Sequence, residues 1–117
     1  MEAQEVRGYA DERKKASESV IDAQRVIAET ERAIKLREQA IMKEITAAMN
    51  GEGKPLFSNE AARHAELCLR CEADDRILEM RTTFEAYKEA AGRDSITAEY
   101  FRDLIRIGCA FAEAQKG

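Results

Sequence analysis

The sequence predicts an all-α protein, built as a long antiparallel, coiled-coil-like helical hairpin with a shorter third helix at its C-terminal end. Charged residues make up 36% of the 117 residues and aromatic residues only 6%, a composition typical of long helices. The only proline lies in the one segment where Gly and Asn also cluster, residues 50–60, so the sequence has one evident bend. A chain of this length favours one domain, residues 1–117.

The first predicted helix covers residues 3–49 and carries an apolar row that recurs every seven positions, interrupted once by Arg13. The members of this row are Val6, Val20, Ile27, Ile34 and Ile41, with Ala16, Ala23 and Thr30 at companion positions. Such a heptad pattern predicts packing against a second helix. A second row at the same period has smaller residues, which would let another helix approach closely: Val26, Ala33, Ala40 and Ala47.

The predicted turn covers residues 50–58. We expect Gly51, after Asn50, to end the first helix in the left-handed conformation. Pro55 disfavours helix at the residue before it, so the chain should approach the next helix in an extended conformation. Ser58 is the expected N-cap of that helix, and Glu60 lies in its first turn.

The second predicted helix covers residues 59–91 and has two apolar faces. The first face should pack on the heptad row of the first helix and contains Ala62, Ala65, Leu69, Ala73, Ile77, Met80, Phe84 and Tyr87. The opposite face contains Leu67, Cys68, Cys71 and Leu78. A helix that is apolar on two sides is expected to have two neighbours.

The third predicted helix covers residues 97–115, after a short loop at residues 92–95, with Thr97 or Ser95 as its N-cap. Its apolar side contains Phe101, Leu104, Ile105, Gly108 and Ala112, widened by Tyr100, Ile107 and Phe111. This helix should pack on the second helix or on another subunit. The first dozen residues of the first helix are then expected to overhang the hairpin.

The most specific candidate for a metal site is a zinc site formed by His64, Cys68 and Cys71, with Cys109 as a possible fourth ligand. If the third helix folds back after residue 92, Cys109 lies more than about 10 Å from Cys71, at 1.5 Å of rise per residue. We therefore expect no metal and no cofactor, and we interpret Cys68 and Cys71 as small packing residues.

Enzymatic activity is not expected. The single histidine, His64, has no recognisable orienting carboxylate, and the glycines of the turn follow no strand and precede no phosphate-binding motif. Asp74 and Asp75 project about 100° apart on a helix, which indicates solvated charges rather than a catalytic pair.

The turn Gly53-Lys54-Pro55-Leu56-Phe57-Ser58-Asn59-Glu60, with Arg63 and the charged helix behind it, resembles a group of small uncharacterised helical-hairpin proteins of phage and prophage origin. The C-terminal pattern, with Glu99-Tyr100 ahead of Leu104, is loosely similar too. The resemblance implies a phage accessory role, close to DNA recombination or anti-defence functions. It implies no active residues.

Two functions stay open. The favoured one is a protein-interaction and assembly module that binds itself, as a homodimer or higher helical oligomer, and an unidentified host or phage protein. Its expected interface residues are Val26, Ala33, Ala40, Ala47, Leu67, Leu78, Phe101, Leu104, Ile105 and Phe111. The alternative is nucleic-acid or nucleotide binding through Arg63, Arg70, Arg81, Arg102 and Arg106. A net charge of −4 favours protein binding.

The cytoplasm is the expected compartment. The N-terminal residues Met-Glu-Ala-Gln-Glu lack the basic start and apolar core of a signal peptide. No apolar run reaches the roughly 18 residues of a membrane span, since Arg102, Asp103 and Arg106 interrupt the best candidate, so no membrane partner is expected. Three cysteines, an odd number, fit a reducing compartment.

Overall fold

The computed structural model describes residues 2–116 and contains three helices: α1 (Ala3–Ala47), α2 (Glu60–Ala73) and α3 (Asp75–Lys116). The described residues include no strand, only an isolated bridge between Met49 and Pro55. The all-α class and the hairpin, in which α1 packs against α3, are thus confirmed. The packing divides the chain into two compact units. We call Ala28–Glu85 the turn-proximal unit, and the residues up to Ile27 with those from Ala86 onward the terminal unit.

The turn is organised by Asn50. Its side-chain oxygen accepts hydrogen bonds from the backbone N–H of Glu52 (2.9 Å) and of Lys54 (3.1 Å). Its own backbone N–H donates to the carbonyl of Lys54 at 2.8 Å. The helix ends at Ala47, and the residue with positive φ is Gly53 (76°), so the prediction that Gly51 takes the left-handed conformation is wrong. The turn is thus held by the Asn50 side chain and not by a left-handed glycine at residue 51.

The N-cap of α2 is Asn59 and not Ser58, as the sequence had predicted. Asn59 has extended backbone angles, and its side-chain oxygen accepts a hydrogen bond from the N–H of Ala62 at 2.8 Å. Asparagine and serine are about equally favourable at the N-cap position. The sequence alone therefore does not show which of the two neighbouring residues caps α2. Glu60 occupies the first turn, as predicted.

The largest correction concerns the break between the second and third helices. The break lies at Asp74, and α3 runs without interruption through residues 92–95, where a loop was predicted. The heptad seam of α3 continues across that region: its two rows are Ile77, Phe84, Ala91, Ala98 and Ile105, and Met80, Tyr87, Asp94, Phe101 and Gly108. All of these except Tyr87 are buried or half-buried, whereas Gly92 lies outside the seam and is exposed. A glycine there weakens the helix by roughly 1 kcal/mol but does not end it.

The core of the turn-proximal unit consists of Ile41, Ile45, Cys71 and Ile77, with Met42, Phe57, Leu67 and Met80 packed around it. The prediction that α2 packs through Ala65, Leu69 and Ala73 is wrong, because these residues are exposed and Leu67 and Cys71 face the core instead. The non-helical residue Asp74 shifts the helical phase, so the buried face of α2 does not continue the buried face of α3.

In the terminal unit, Ala16 and Ala23 are buried, as the heptad pattern of α1 predicts. Near the start of α1, the ring of Tyr9 lies 6.0 Å from the ring of Phe101, measured between centroids. The first dozen residues therefore do not overhang the hairpin. The reason is the length of α3, which has 42 residues against 45 in α1, because it has no break at residues 92–95.

Candidate protein-interaction surface

The chain exposes 8695 Å² of surface, although a compact monomer of its mass, 13.2 kDa, exposes only about 6400 Å². Within residues 2–116, the buried side chains are all apolar and are few: Ala16, Ala23, Ile41, Ile45, Cys71 and Ile77. Many large apolar side chains consequently face solvent, and where they gather on one face they form candidate contact surfaces.

The longest such face in the terminal unit lies on α3. Its members are Ile96 (69% exposed), Tyr100 (59%), Ile107 (59%) and Phe111 (47%), which we call the α3 stripe. At 100° per residue the four side chains fall within an arc of about 60°. They extend over roughly 22 Å of the helix. The rings of Tyr100 and Phe101 meet edge to face, with centroids 5.3 Å apart, which joins the stripe to the packed side of the helix.

Charged residues of alternating sign accompany the α3 stripe, in the order Glu99, Arg102, Asp103 and Arg106. At 100° per residue, Asp103, Glu99 and Arg106 lie along one edge of the stripe, whereas Arg102 projects away from it. Arg102 and Asp103 form an exposed ion pair of 3.5 Å. Across the described part of the chain, no ion pair involves Glu99 or Arg106. The stripe is therefore apolar along its centre and charged along this edge, an arrangement that resembles the core and rim of protein interfaces.

The predicted interface residues of the last helix divide between two environments. Phe111 belongs to the α3 stripe, whereas Phe101, Leu104 and Ile105 are half-buried, Phe101 against Tyr9. Ile96 was not among the predicted interface residues, because the third helix was predicted to begin beside it, at Ser95 or Thr97. Ile96 lies four residues before Tyr100, and this spacing places the two side chains on one face because α3 is continuous there.

The predicted row of small residues on α1 is only partly exposed. Val26 and Ala33 are half-buried, and Ala40 and Ala47 are exposed. In the turn-proximal unit a shallow groove is lined by Ala33, Leu36, Arg37, Ala40, Arg76, Glu79 and Met80. Of the two predicted interface leucines, Leu67 packs against the core and Leu78 is 44% exposed.

A bidentate ion pair holds α1 to the α2–α3 junction. Arg37 donates from Nε (3.2 Å) and from a terminal guanidinium nitrogen (2.7 Å) to one carboxylate oxygen of Asp74. The other oxygen accepts the N–H of Ile77 at 3.0 Å and so caps α3. Hydrogen bonds from Arg37, and then from Ile77, hold the pKa of Asp74 below its ordinary value. The Asp74 contact likewise raises the pKa of Arg37. Because both carboxylate oxygens of Asp74 accept hydrogen bonds within the chain, the pair is structural.

The arginines of the nucleic-acid alternative mostly have local partners. Arg63 donates to the carbonyl of Phe57 at 3.3 Å, and Arg70 pairs with Glu66 at 2.8 Å. The remaining contacts are Arg81 with Glu38 at 3.8 Å and Arg102 with Asp103 at 3.5 Å. Four of the five guanidinium groups thus already contact a carboxylate or a carbonyl oxygen of the chain.

The three candidate zinc ligands of α2 lie in different environments. His64 is exposed and lies 3.6 Å from Glu60, Cys68 is exposed, and Cys71 is buried in the core. Burial raises the pKa of the Cys71 thiol, which disfavours the thiolate that a metal needs. Over residues 2–116, the structure brings together no group of three His, Cys, Asp or Glu side chains suited to a metal ion.

None of the helices, as far as the structure describes them, has a stretch that is long and apolar enough to traverse a lipid bilayer. Comparison of the chain with protein-family models, with curated proteins and with solved structures finds no match.

Proposed function

We propose that this protein is a non-enzymatic assembly module whose helices bind a second copy of the chain. The observation that supports this proposal is the surface area. The chain exposes roughly 2300 Å² more than a compact monomer of its mass would. Obligate homodimers bury about 1000–2500 Å² on each partner, so one homodimer interface can account for that excess.

The arrangement of exposed side chains supports the same proposal. Four of the large exposed apolar residues are grouped on one helix face, the α3 stripe, whereas single exposed apolar residues are normal on protein surfaces. Most of the ion pairs in the described chain join residues of one helix, such as Glu66 with Arg70 and Glu31 with Lys35. Protein binding therefore accounts for more of the surface than nucleic-acid binding does.

Heat unfolding at several protein concentrations tests the proposal. If folding and self-association are coupled, the melting temperature should rise as the protein concentration rises, because mass action favours the associated folded state. A melting temperature that stays constant over about a hundredfold range of concentration would contradict self-assembly. Circular dichroism provides the readout, since unfolding removes almost all of the helical signal.

The resemblance of the turn to phage and prophage hairpin proteins supports a narrower version of the proposal. In this version the assembled module is a phage accessory protein that binds a host or phage protein, with an anti-defence role as one form of that activity. Copurification from a phage-bearing host, compared between the wild type and a variant that cannot self-associate, tests whether assembly is needed for such binding.

A further inference from the structure

We propose that the second copy binds antiparallel along the α3 stripe, across a two-fold axis that passes between residues 103 and 104. This inference rests on the proposed self-assembly and names the surface and the symmetry by which it occurs. Isologous pairing across a two-fold axis is the commonest way for a protein to bind itself.

The first argument is the spacing of the stripe. Ile96 and Phe111 lie equally far from the midpoint between residues 103 and 104, and so do Tyr100 and Ile107. When a second α3 runs in the opposite direction about that midpoint, Ile96 lies opposite the partner's Phe111. Tyr100 then lies opposite the partner's Ile107. Each large exposed side chain of the stripe thus meets another one, and no member is left facing solvent.

The second argument is the charge order along the edge of the stripe. Glu99 and Arg106 are centred between residues 102 and 103, one residue from the proposed axis. In the antiparallel pairing, Glu99 and the partner's Arg106 are therefore displaced by only about 3 Å along the helices, which two long side chains can span. A parallel pairing in the same register would place like charges opposite one another, which is destabilising. The same part of α3 therefore pairs large apolar side chains with one another, and it brings Glu99 near the partner's Arg106.

The row of small residues on α1 is a weaker candidate for this contact. Val26 and Ala33 are already half-buried within the chain, and Ala40 offers only a methyl group. The Arg37 side chain in the neighbouring groove already forms an ion pair with Asp74. Large side chains such as Tyr, Phe and Ile contribute far more contact area to an interface than alanine does.

A pair of substitutions matched in exposure tests which surface is used. Ile107 on the α3 stripe is 59% exposed and Leu36 in the turn-proximal unit is 60% exposed. We expect Ile107→Asp to raise the dimer dissociation constant about thirtyfold or more, as charging a central interface residue does. Leu36→Asp should leave it unchanged. Sedimentation velocity measures the association, and circular dichroism verifies that both variants stay helical.

Charge exchange tests the antiparallel register. Glu99→Arg and Arg106→Glu should each weaken the dimer about tenfold, because each creates two like-charge contacts across the two-fold axis. The double variant restores opposite charges and should recover most of the wild-type affinity. Because both residues are exposed, a purely structural role would not produce this recovery.

The outcomes separate the two proposals. Suppose that the wild type is a dimer and that Leu36→Asp or Ala40→Glu dissociates it, whereas Ile107→Asp does not. The dimer then uses another face, and this inference is overturned. If the double charge exchange fails to recover affinity, the antiparallel register is overturned while self-assembly stands. A monomeric wild type overturns both proposals.

Discussion

At the residue scale, the path of the chain depends on Asp74 and its partner Arg37. Asp74 is the non-helical residue between α2 and α3, and its carboxylate both caps α3 and accepts two hydrogen bonds from Arg37 on α1. One side chain thus ends one helix, begins the next and fastens their junction to α1. The prediction that Asp74 is a solvated charge is therefore wrong.

Substitution of Asp74 should separate its two roles. Asp74→Asn keeps an oxygen for the N–H of Ile77 and loses the charge, whereas Asp74→Ala loses the cap as well. We therefore expect the melting temperature to decrease from wild type to Asn and further to Ala. Because the pKa of folded Asp74 lies below its ordinary value, its stabilisation is present at neutral pH and is lost as the pH falls through the folded pKa.

The difference in stability between the wild type and Asp74→Asn should consequently be largest near neutral pH and shrink in acid. Urea unfolding of both proteins at neutral pH and at several acidic pH values measures it. An equal difference at every pH would contradict the assigned ion pair.

The cysteines provide a second prediction at the residue scale. Cys68 and Cys109 are exposed, and Cys71 is buried with a raised pKa. Two thiols should therefore react rapidly with a thiol reagent in the folded protein, and the third only after denaturation. Cys71→Ala should cost about 1 kcal/mol through the small cavity it leaves, whereas Cys68→Ala should cost almost nothing. Rapid reaction of all three thiols in the folded protein would show that Cys71 is not in the core.

At the element scale, much of the fold could be predicted from the sequence because heptad spacing and turn residues are local signals. These features predicted α1, the position of the turn and the all-α class. The break at Asp74 could not be predicted in this way, since Ile77 follows Ala73 at a helical spacing whether or not the helix continues. The same error affected the site: a presumed loop at residues 92–95 separated Ile96 from Tyr100, although both lie on one face of α3.

A glycine pair tests the continuity of α3. Gly92 lies within the helix, and an added Cβ would meet nothing within 4 Å, so Gly92→Ala should stabilise the protein by about 0.5–1 kcal/mol. Gly53 has equally open surroundings but a φ of 76°, so Gly53→Ala should destabilise it by about 1 kcal/mol. Urea unfolding measures both. Destabilisation by Gly92→Ala would indicate that residues 92–95 form the turn that was predicted from the sequence.

At the scale of the whole molecule, the central feature is the ratio of exposed surface to buried core. The few buried residues of the two units, all apolar, are accompanied by 8695 Å² of exposed surface. Small domains bury a low fraction of their surface and often gain stability by oligomerisation. Self-association through the α3 stripe would supply part of the missing burial, and it links the fold directly to the proposed function.

The molar mass in solution, determined by sedimentation equilibrium, tests this account most directly. At concentrations of about 10–100 µM, a range in which micromolar or tighter dimers are well populated, we expect twice the chain mass of 13.2 kDa. The mass should fall toward 13.2 kDa on dilution in the Ile107→Asp variant before it does in the wild type. A wild-type mass of 13.2 kDa at every concentration would contradict the account, because the exposed apolar side chains of the α3 stripe would then have no second copy to cover them.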